Sequence, residues 1–260
     1  SQVNAADIIG GVDGSGSRTG VNALKDTFAL YGYQPKIVIA PKWWEDATVA
    51  AELISLAEEL RAEAYIDAPI GTSFQDALQG RGPSGTINFN FSSDAAILSW
   101  PQVEVADGNG GTRLEGLSAR LAGLRAKVDV EEGYHVSISN HEINGVVGLE
   151  VPVYANLTGQ GSEANELNAQ GILTVFNAYG SGFRAFGNRA ASFPATSGAT
   201  TFEAVRRTFD IVDESIERVA LNFADKPITS ALIDAIVDSV NTFIDQLVSR
   251  GALLPGSRCF

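Results

Sequence analysis

Short apolar runs alternate with amphipathic stretches in the first hundred residues, and this alternation constrains the fold more than any other feature. The runs lie at residues 36–41, 64–69 and 95–100, and each one ends at or just before a proline. Between the first two, residues 45–64 repeat apolar positions with helical spacing, at Val49, Leu53, Leu56, Ala57 and Leu60. Continuous apolar runs are typical of strands that are buried on both faces. Alternating strands and helices therefore predict an α/β fold, with a mostly parallel or mixed sheet flanked by helices.

The second half of the chain has a different pattern. Helices are predicted over residues 21–31 and 114–126, and a strand over 145–154, whereas residues 7–12 indicate a strand end or turn. Residues 156–163 are rich in Gly, Ser, Thr and Gln, which predicts a boundary between domains 1–156 and 157–260. Beyond it, residues 172–176 and 183–186 predict a hairpin, and residues 202–223 and 227–250 predict two long helices. The second domain is thus expected to be a smaller α+β domain.

Composition excludes several classes of protein. Eighteen Lys and Arg against 31 Asp and Glu give a net charge of −13, which disfavours binding to nucleic acid or to an anionic membrane. No run reaches the roughly 18 apolar residues of a membrane span, and no signal peptide opens the chain. Cys259 is the single cysteine, so neither an intrachain disulfide nor a multi-thiolate zinc site is expected.

The glycine-rich loop at residues 11–20 allows several interpretations. It has the glycine spacing of a P-loop, but Ser17 stands where the phosphate-binding lysine would be. Asp13, Ser15 and Ser17 resemble the metal-ion-dependent adhesion site of von Willebrand A domains, in which such oxygens bind Mg²⁺. A turn between strand and helix, with Thr19 as the helix cap, explains the same residues without any ligand.

Other candidate sites are weaker or of a different kind. His135 and His141 are six residues apart in a segment without helical periodicity, which favours surface histidines over a zinc site. No Gly-x-Ser-x-Gly elbow follows a strand, so a hydrolase on an α/β scaffold ranks third among the functions. Between residues 181 and 207 four arginines outnumber one acid, Glu203, and either internal pairing or a docking surface explains this basic cluster: Arg184, Arg189, Arg206 and Arg207.

Several motifs together resemble a known family. Residues 121–148 contain a Leu-Ala-Gly-Leu element, an acidic Glu-x-Gly turn, a Ser-Asn pair and Ile-x-Gly-Val-x-Gly. Residues 182–189 read Gly-Phe-Arg-Ala-Phe-Gly-Asn-Arg, and residues 205–208 and 225–229 add two further matches in the same order. This arrangement resembles the contractile tail sheath proteins of myoviruses and R-type bacteriocins, over nearly the whole chain.

The resemblance implies a structural protein with no catalysis, no cofactor and no metal. Sheath subunits stack as six-fold rings around a tail tube and contract to drive the tube through the target cell envelope. The implied partners are other sheath subunits, the tail tube protein, the baseplate and the tail terminator. The implied location is the tail of a virion that is assembled in the bacterial cytoplasm, and the arginine cluster becomes a candidate subunit or tube interface. The alternative function is an adhesion module that uses Asp13, Ser15 and Ser17.

One further expectation concerns the linking arms of the family and the oligomeric state of the chain. The sequence has no methionine, and the family's N-terminal and C-terminal linking arms, which add strands to neighbouring subunits, have no counterpart in it. The chain alone is therefore expected to be mainly monomeric.

Overall fold

The chain folds around a mixed sheet that has five strands within residues 3–156, 158 and 161–260, the part of the chain that a computed structural model describes. The strands of this part are β1 (Ile37–Val38), β2 (Glu63–Asp67), β3 (Ala96–Ser99), β4 (Val103–Ala106), β5 (Thr112–Glu115), β6 (Val146–Leu149), β7 (Ile172–Asn177) and β8 (Phe183–Phe186). Its helices are α1 (Ala5–Ile9), α2 (Thr27–Tyr31), α3 (Ala47–Leu60), α4 (Phe74–Gln79), α5 (Leu117–Glu131), α6 (Glu163–Ala169), α7 (Glu203–Ala220) and α8 (Ser230–Ser249).

The order of the large sheet is β1-β2-β3-β7-β8. Strands β1, β2, β3 and β7 run parallel, and β8 returns antiparallel to β7 as the predicted hairpin. The predicted α/β fold with a mixed sheet is therefore confirmed. The three apolar runs of the sequence form β1, β2 and β3, side by side.

Helices cover both faces of this sheet because its strands are apolar on both sides. Along β2, Ala64 and Ile66 belong to the core that contains Leu53 of α3. Tyr65, which points to the opposite face, belongs to the core that contains Leu121 of α5. A parallel sheet buried between two helical layers requires side chains of this kind in its central strands.

Helix α3 begins where its sequence provides a cap. The Asp46 side chain accepts hydrogen bonds from the backbone N–H groups of Thr48 at 2.8 Å and Val49 at 3.4 Å. These bonds satisfy amides that have no partner inside the helix. The helix predicted at residues 45–64 forms over Ala47–Leu60, and its buried stripe includes the predicted apolar positions, whereas residues 63 and 64 belong to β2.

The N-terminal segment differs from its prediction. Residues 20–26 form a 3₁₀ helix that leads into the five-residue α2, where one continuous helix was predicted. Leu24, Phe28 and Tyr31 are spaced by four and three residues, which suits either helix type. The Asn22 amide donates to the Ile9 carbonyl at 3.0 Å, a contact between distant segments that the local pattern does not contain. A strand end or turn was predicted at residues 7–12, whereas α1 occupies residues 5–9.

A second sheet, with strand order β5-β4-β6, was only partly predicted. Strand β6 lies inside the predicted strand 145–154, whereas β4 and β5 were not predicted. Leu114, taken as the first residue of a helix, lies in β5, and the helix begins at Leu117. In β4, Val103 and Val105 are buried and alternate with the less buried Glu104 and Ala106, a pattern too short to predict a strand by itself.

The chain divides into two compact units, residues 1–204 and 205–260. Unit 1 contains both sheets, including the β7–β8 hairpin, and unit 2 contains most of α7 and all of α8. The domain boundary that the sequence predicts, between residues 156 and 157, differs from this division and stays a prediction. Leu157, Gly159 and Gln160, at that boundary, lie outside the described residues.

Candidate subunit interface

Arg184 lies in β8 and bonds to the segment beside that strand. Its Nη1 donates to the Asn140 carbonyl at 2.7 Å, and the Asn140 N–H donates to the Ala185 carbonyl at 2.7 Å. Glu142 forms a β-bridge with Arg184 in the same segment. Residues 140–143 therefore flank the outer side of β8, and Arg184 helps to hold them there.

Arg189 is enclosed by aromatic rings. Its guanidinium carbon lies 3.9 Å from the ring centroid of Phe193 and 4.6 Å from that of Phe202. Stacking of a guanidinium on aromatic faces stabilises both groups. The second arginine of the signature thus joins two turns of the segment between β8 and α7.

Arg206 and Arg207 belong to unit 2, whereas Arg184 and Arg189 belong to unit 1. The Arg206 Nε lies 3.4 Å from a carboxylate oxygen of Asp210, one helical turn further along α7. Arg207 is buried. All four predicted interface arginines therefore take part in contacts within the chain or lie below its surface, and their docking role stays a prediction.

The loop at Asp13 is an internally bonded turn. Asp13 Oδ1 accepts hydrogen bonds from the Ser15 N–H at 2.8 Å, the Ser15 hydroxyl at 2.6 Å and the Ser17 N–H at 2.9 Å. These bonds, led by that of the Ser15 hydroxyl, lower the pKa of Asp13. Within the described ranges, no group of three or more His, Cys, Asp or Glu side chains is arranged to hold a metal ion. The bonds within the turn account for the Asp-x-Ser-x-Ser spacing, and the adhesion-module interpretation is not supported.

The two histidines have separate surroundings. A ring nitrogen of His141 lies 2.8 Å from a carboxylate oxygen of Glu132, and His135 contacts the ring of Tyr134 edge-on.

In the part of the chain with described coordinates, no helix is both long and apolar enough to cross a lipid bilayer.

An ion pair that the sequence reasoning missed lies inside unit 1. Arg125 of α5 is fully buried, and its Nη1 lies 3.2 Å from Glu203 Oε1 at the start of α7. The same Glu203 oxygen accepts a hydrogen bond from the Tyr65 hydroxyl at 3.3 Å. Arg125 also donates to the Val136 carbonyl at 2.8 Å and pairs with Asp129 at 2.7 Å. A buried ion pair persists only when further hydrogen bonds offset its loss of water, as they do here.

The position of Arg125 in the sequence does carry a signal. Leu117, Leu121, Leu124 and Val128 define the buried stripe of α5, and Arg125 follows Leu121 by four residues on that same face. A charged residue on an apolar stripe indicates a buried partner. No local pattern in the sequence identifies Glu203, 78 residues away, as that partner.

The half-buried Arg81 makes a second connection that the sequence pattern did not predict. Its two terminal nitrogens donate to four backbone carbonyls, and burial lowers the pKa of its guanidinium to about 10. Two of these carbonyls, of Ala191 and Phe193, lie at 2.5 and 2.9 Å and belong to the segment that also holds Arg189. Arg81 therefore ties the loop after α4 to the segment between β8 and α7.

Asp67 caps a helix from a distant strand. Helix α5 begins after Gly116, which has no side chain to cap it, and Asp67 Oδ1 at the end of β2 accepts the Ser118 N–H at 2.7 Å. The Ser99 hydroxyl donates to the same oxygen at 2.5 Å. Burial raises the pKa of Asp67 to about 6, and the hydrogen bonds of Ser118 and Ser99 offset only part of that effect. A side chain at Gly116 would lie 2.5 Å from Asp67 Oδ2 and from the Trp44 ring, so this position requires glycine.

Comparison with known proteins adds sequence evidence to this geometry. Residues 16–191 match the family model described as the central domain of the phage tail sheath protein. The chain is 51% identical over 255 residues to the tail sheath protein of Burkholderia phage BcepMu, which covers 98% of this chain and 54% of that protein. It is 32% identical to the tail sheath protein of Escherichia phage P2, across 98% of this chain and 61% of that protein. The chain thus spans between half and two thirds of the length of these relatives.

Solved structures share the fold at lower identity. The helical sheath of the anti-feeding prophage in its contracted state matches with a TM-score of 0.67 at 21% identity, over 91% of this chain and 60% of that one. The contracted sheath complex of an extracellular contractile injection system, PVC, also gives 0.67, at 18% identity over 86% of this chain and 58% of that one. The family match covers more than half of the chain, and the signature at residues 182–189 lies within the matched residues 16–191. The chain belongs to the phage tail sheath family.

Proposed function

We propose that the protein is a structural subunit of a contractile tail sheath, of a phage or of a phage-tail-like particle, that polymerises around a tail tube and contracts. The observation that carries this proposal is the 51% identity to a phage tail sheath protein over nearly the whole chain. Its partners are other copies of the subunit, in six-fold helical rings, together with the tail tube, the baseplate and the tail terminator. It acts in the virion tail after assembly in the host cytoplasm.

The role that fits the interior of the chain is structural and not catalytic. Four ionisable groups serve packing, since the buried Asp67 caps α5, the half-buried Arg81 binds four carbonyls, and the buried Arg125 pairs with Glu203. A contracting lattice needs subunits that transmit force without unfolding, and buried charge-assisted hydrogen bonds resist local opening.

The arginines of the signature region are proposed to contribute to docking on the tube or on a neighbouring subunit. The side chain of Arg206 is only 12% exposed, so its contribution to docking would depend on the small part of the side chain that reaches solvent. Charge reversal of Arg206 and Arg207 in the complete protein should impair assembly, and because both side chains are largely buried, circular dichroism must show that the double variant is folded. Arg113→Glu, at an exposed position of β5, is the matched control. Normal contractile tails from the double variant would contradict this role.

The proposed function is tested by expressing the complete open reading frame with its tube protein and imaging the product by electron microscopy. Striated sheaths around tubes, which shorten and widen when triggered, are expected. Tubes that stay naked in the presence of the folded protein would refute the proposal.

A further inference from the structure

We propose that the exposed aromatic segment at residues 28–33 docks on unit 2 of a second copy of this chain. The inference rests on the proposed function, because it assigns one contact of the sheath lattice to named surfaces. Two different surfaces of the same chain are involved, so the contact is head-to-tail.

The first surface is the aromatic segment, Phe28 to Tyr33. Its large side chains are each between 51% and 68% exposed: Phe28, Leu30, Tyr31 and Tyr33. The ring centroids of Tyr31 and Tyr33 lie 6.3 Å apart. Six consecutive exposed residues with no charge among them are unusual on the surface of a folded chain. Tyrosine and phenylalanine at exposed positions are enriched in protein interfaces, because they bury much area and lose little entropy.

The second surface lies on unit 2. Phe209, Leu221, Ile228 and Ile233 are between 50% and 85% exposed, and only Val240, Ile244 and Leu247 of α8 are buried. Phe209 lies in α7 and Ile233 in α8, whereas Leu221 and Ile228 lie in the segment between these helices, so the helices and their connection all keep apolar area in contact with solvent. That area is what an aromatic surface would cover in an assembled lattice.

Charge favours pairing of the unlike surfaces over pairing of like ones. Residues 18–42 contain four cationic side chains and one acid, whereas α8 contains Asp234, Asp238 and Asp245 and no Lys or Arg. Arg18 pairs with Asp26, and Lys25 pairs with Glu59 at 2.6 Å, so the electrostatic contribution orients the contact and the apolar area supplies most of the attraction. Two aromatic segments facing each other would bring two cationic regions together.

The geometry of the contact decides what it can build. When one patch binds the same patch on a second copy, the pair closes as a dimer. When one patch binds a different patch, each copy still offers both surfaces, and the contact propagates into rings or helices. A sheath requires the second arrangement.

The area explains why a single contact would not hold two chains together in dilute solution. The four exposed side chains of the aromatic segment offer roughly 500 Å², whereas a stable complex buries about 800 Å² on each partner. The contact becomes effective only when each subunit is held by several neighbours at once. This agrees with the expectation that the chain alone is mainly monomeric.

The first test is photo-cross-linking. Benzoylphenylalanine at position 31 is expected to cross-link to residues 205–260 of a second copy at high protein concentration, with an isotopically labelled partner to separate intermolecular from intramolecular products. Cross-links to the same segment of the second copy, cross-links within one chain, or no intermolecular product would each overturn the inference. In assembled particles, cross-links to the tube protein alone would overturn it as well.

The second test separates the inference from the proposed function. In the complete protein, the double variant Tyr31→Ser/Tyr33→Ser should weaken assembly by about tenfold or more in the concentration it requires. Tyr179→Ser, at a tyrosine 77% exposed in the β7–β8 turn, should assemble like the wild type. Circular dichroism confirms that both variants are folded.

The outcomes are distinct. If the wild type assembles and the double variant assembles equally well, the inference fails and the proposed function stands. If the wild-type protein forms no sheath at all, the proposed function fails whatever the variants do.

Discussion

The interior of unit 1 contains buried charged side chains, whereas the surface of unit 2 contains exposed apolar side chains. Unit 1 buries charged side chains, among them Arg125 and Asp67, and bonds them to groups within the unit. Unit 2 leaves large apolar side chains in contact with water, including Leu221 and Ile228. We infer that the charged groups inside unit 1 are satisfied by the chain itself, whereas the proposed sheath would cover the exposed apolar side chains of unit 2 with a neighbour. Substitutions in each unit test this contrast.

The greatest loss of stability is expected from Arg125→Met. It removes the Arg125 guanidinium from the buried Glu203 carboxylate, which should lower the free energy of unfolding by about 3–5 kcal/mol. The double variant Arg125→Met/Glu203→Leu removes both charges and should recover part of that loss. Urea unfolding followed by tryptophan fluorescence measures unit 1 specifically, because Trp43, Trp44 and Trp100 all lie in it.

Lys127→Met is the matched control for that substitution. Lys127 lies on the same helix with an exposed side chain and a loose pair to Glu131 at 3.9 Å, so its loss should cost under about 0.5 kcal/mol. Equal effects at positions 125 and 127 would show that burial of the ion pair does not matter for stability.

Asp67→Asn should change how stability depends on pH. The folded-state pKa of about 6 lies above the ordinary value of 3.8, so protonated Asp67 favours the folded state, and this contribution is lost as pH rises through 6. The ionised carboxylate then costs up to about 3 kcal/mol. Relative to the wild type, the variant should gain stability between about pH 4 and pH 7.5, as measured by urea unfolding at each pH.

Asp46→Asn is a control with the opposite sign. Hydrogen bonds, led by that of the Thr48 hydroxyl, lower the pKa of this exposed cap, so its contribution is present at neutral pH and is lost in acid. A difference between Asp67→Asn and wild type that stays constant with pH would rule out titration of Asp67 in this range.

Arg81→Lys tests whether the shape of the guanidinium matters or only its charge. A lysine ammonium cannot reach four carbonyls in two segments, so we expect a loss of about 2 kcal/mol from unsatisfied acceptors. Hydrogen exchange should also become faster at Ala191 and its neighbours. Arg113→Lys, at an exposed position, should leave both measurements unchanged, and an unchanged exchange rate in Arg81→Lys would contradict the role of Arg81.

Ile228→Ser is expected to have little effect on folding. The side chain is 85% exposed, so its replacement should change the unfolding free energy by less than about 0.5 kcal/mol. Val240→Ala, at a buried position of α8, should lower the unfolding free energy by about 2 kcal/mol. Thermal unfolding followed by circular dichroism measures both variants. A large loss for Ile228→Ser would mean that this residue serves the fold of unit 2, and the contrast with unit 1 would fail.

Local patterns in the sequence were sufficient for much of the fold. The apolar runs predicted β1, β2 and β3, the amphipathic spacing predicted α3, α7 and α8, and the hairpin of β7 and β8 followed from its glycine-rich turn. The motifs at residues 121–148 and 182–189 were sufficient for the family. Each of these features depends on residues close together in the chain, so each leaves a periodic or local signature.

The short elements and the polar contacts depend on tertiary structure. Strand β4 has only two buried residues, Val103 and Val105, too few to distinguish it from a loop before its partners are known. Arg189 was predicted to be a docking residue because its charge is visible in the sequence. The sequence does not show that the rings of Phe193 and Phe202 pack against its guanidinium.

Segments that become the main strands and helices, and membership of the family, could thus be predicted from the sequence. Three long-range contacts could not: Asp67 caps a helix 51 residues later, Arg81 reaches the Ala191 carbonyl 110 residues away, and Arg125 meets Glu203. Hydrophobic periodicity is set by neighbours along the chain, so it is visible in any window of the sequence. The partner of a buried charge is set by which strands and helices the parallel crossovers bring to the same face of the sheet.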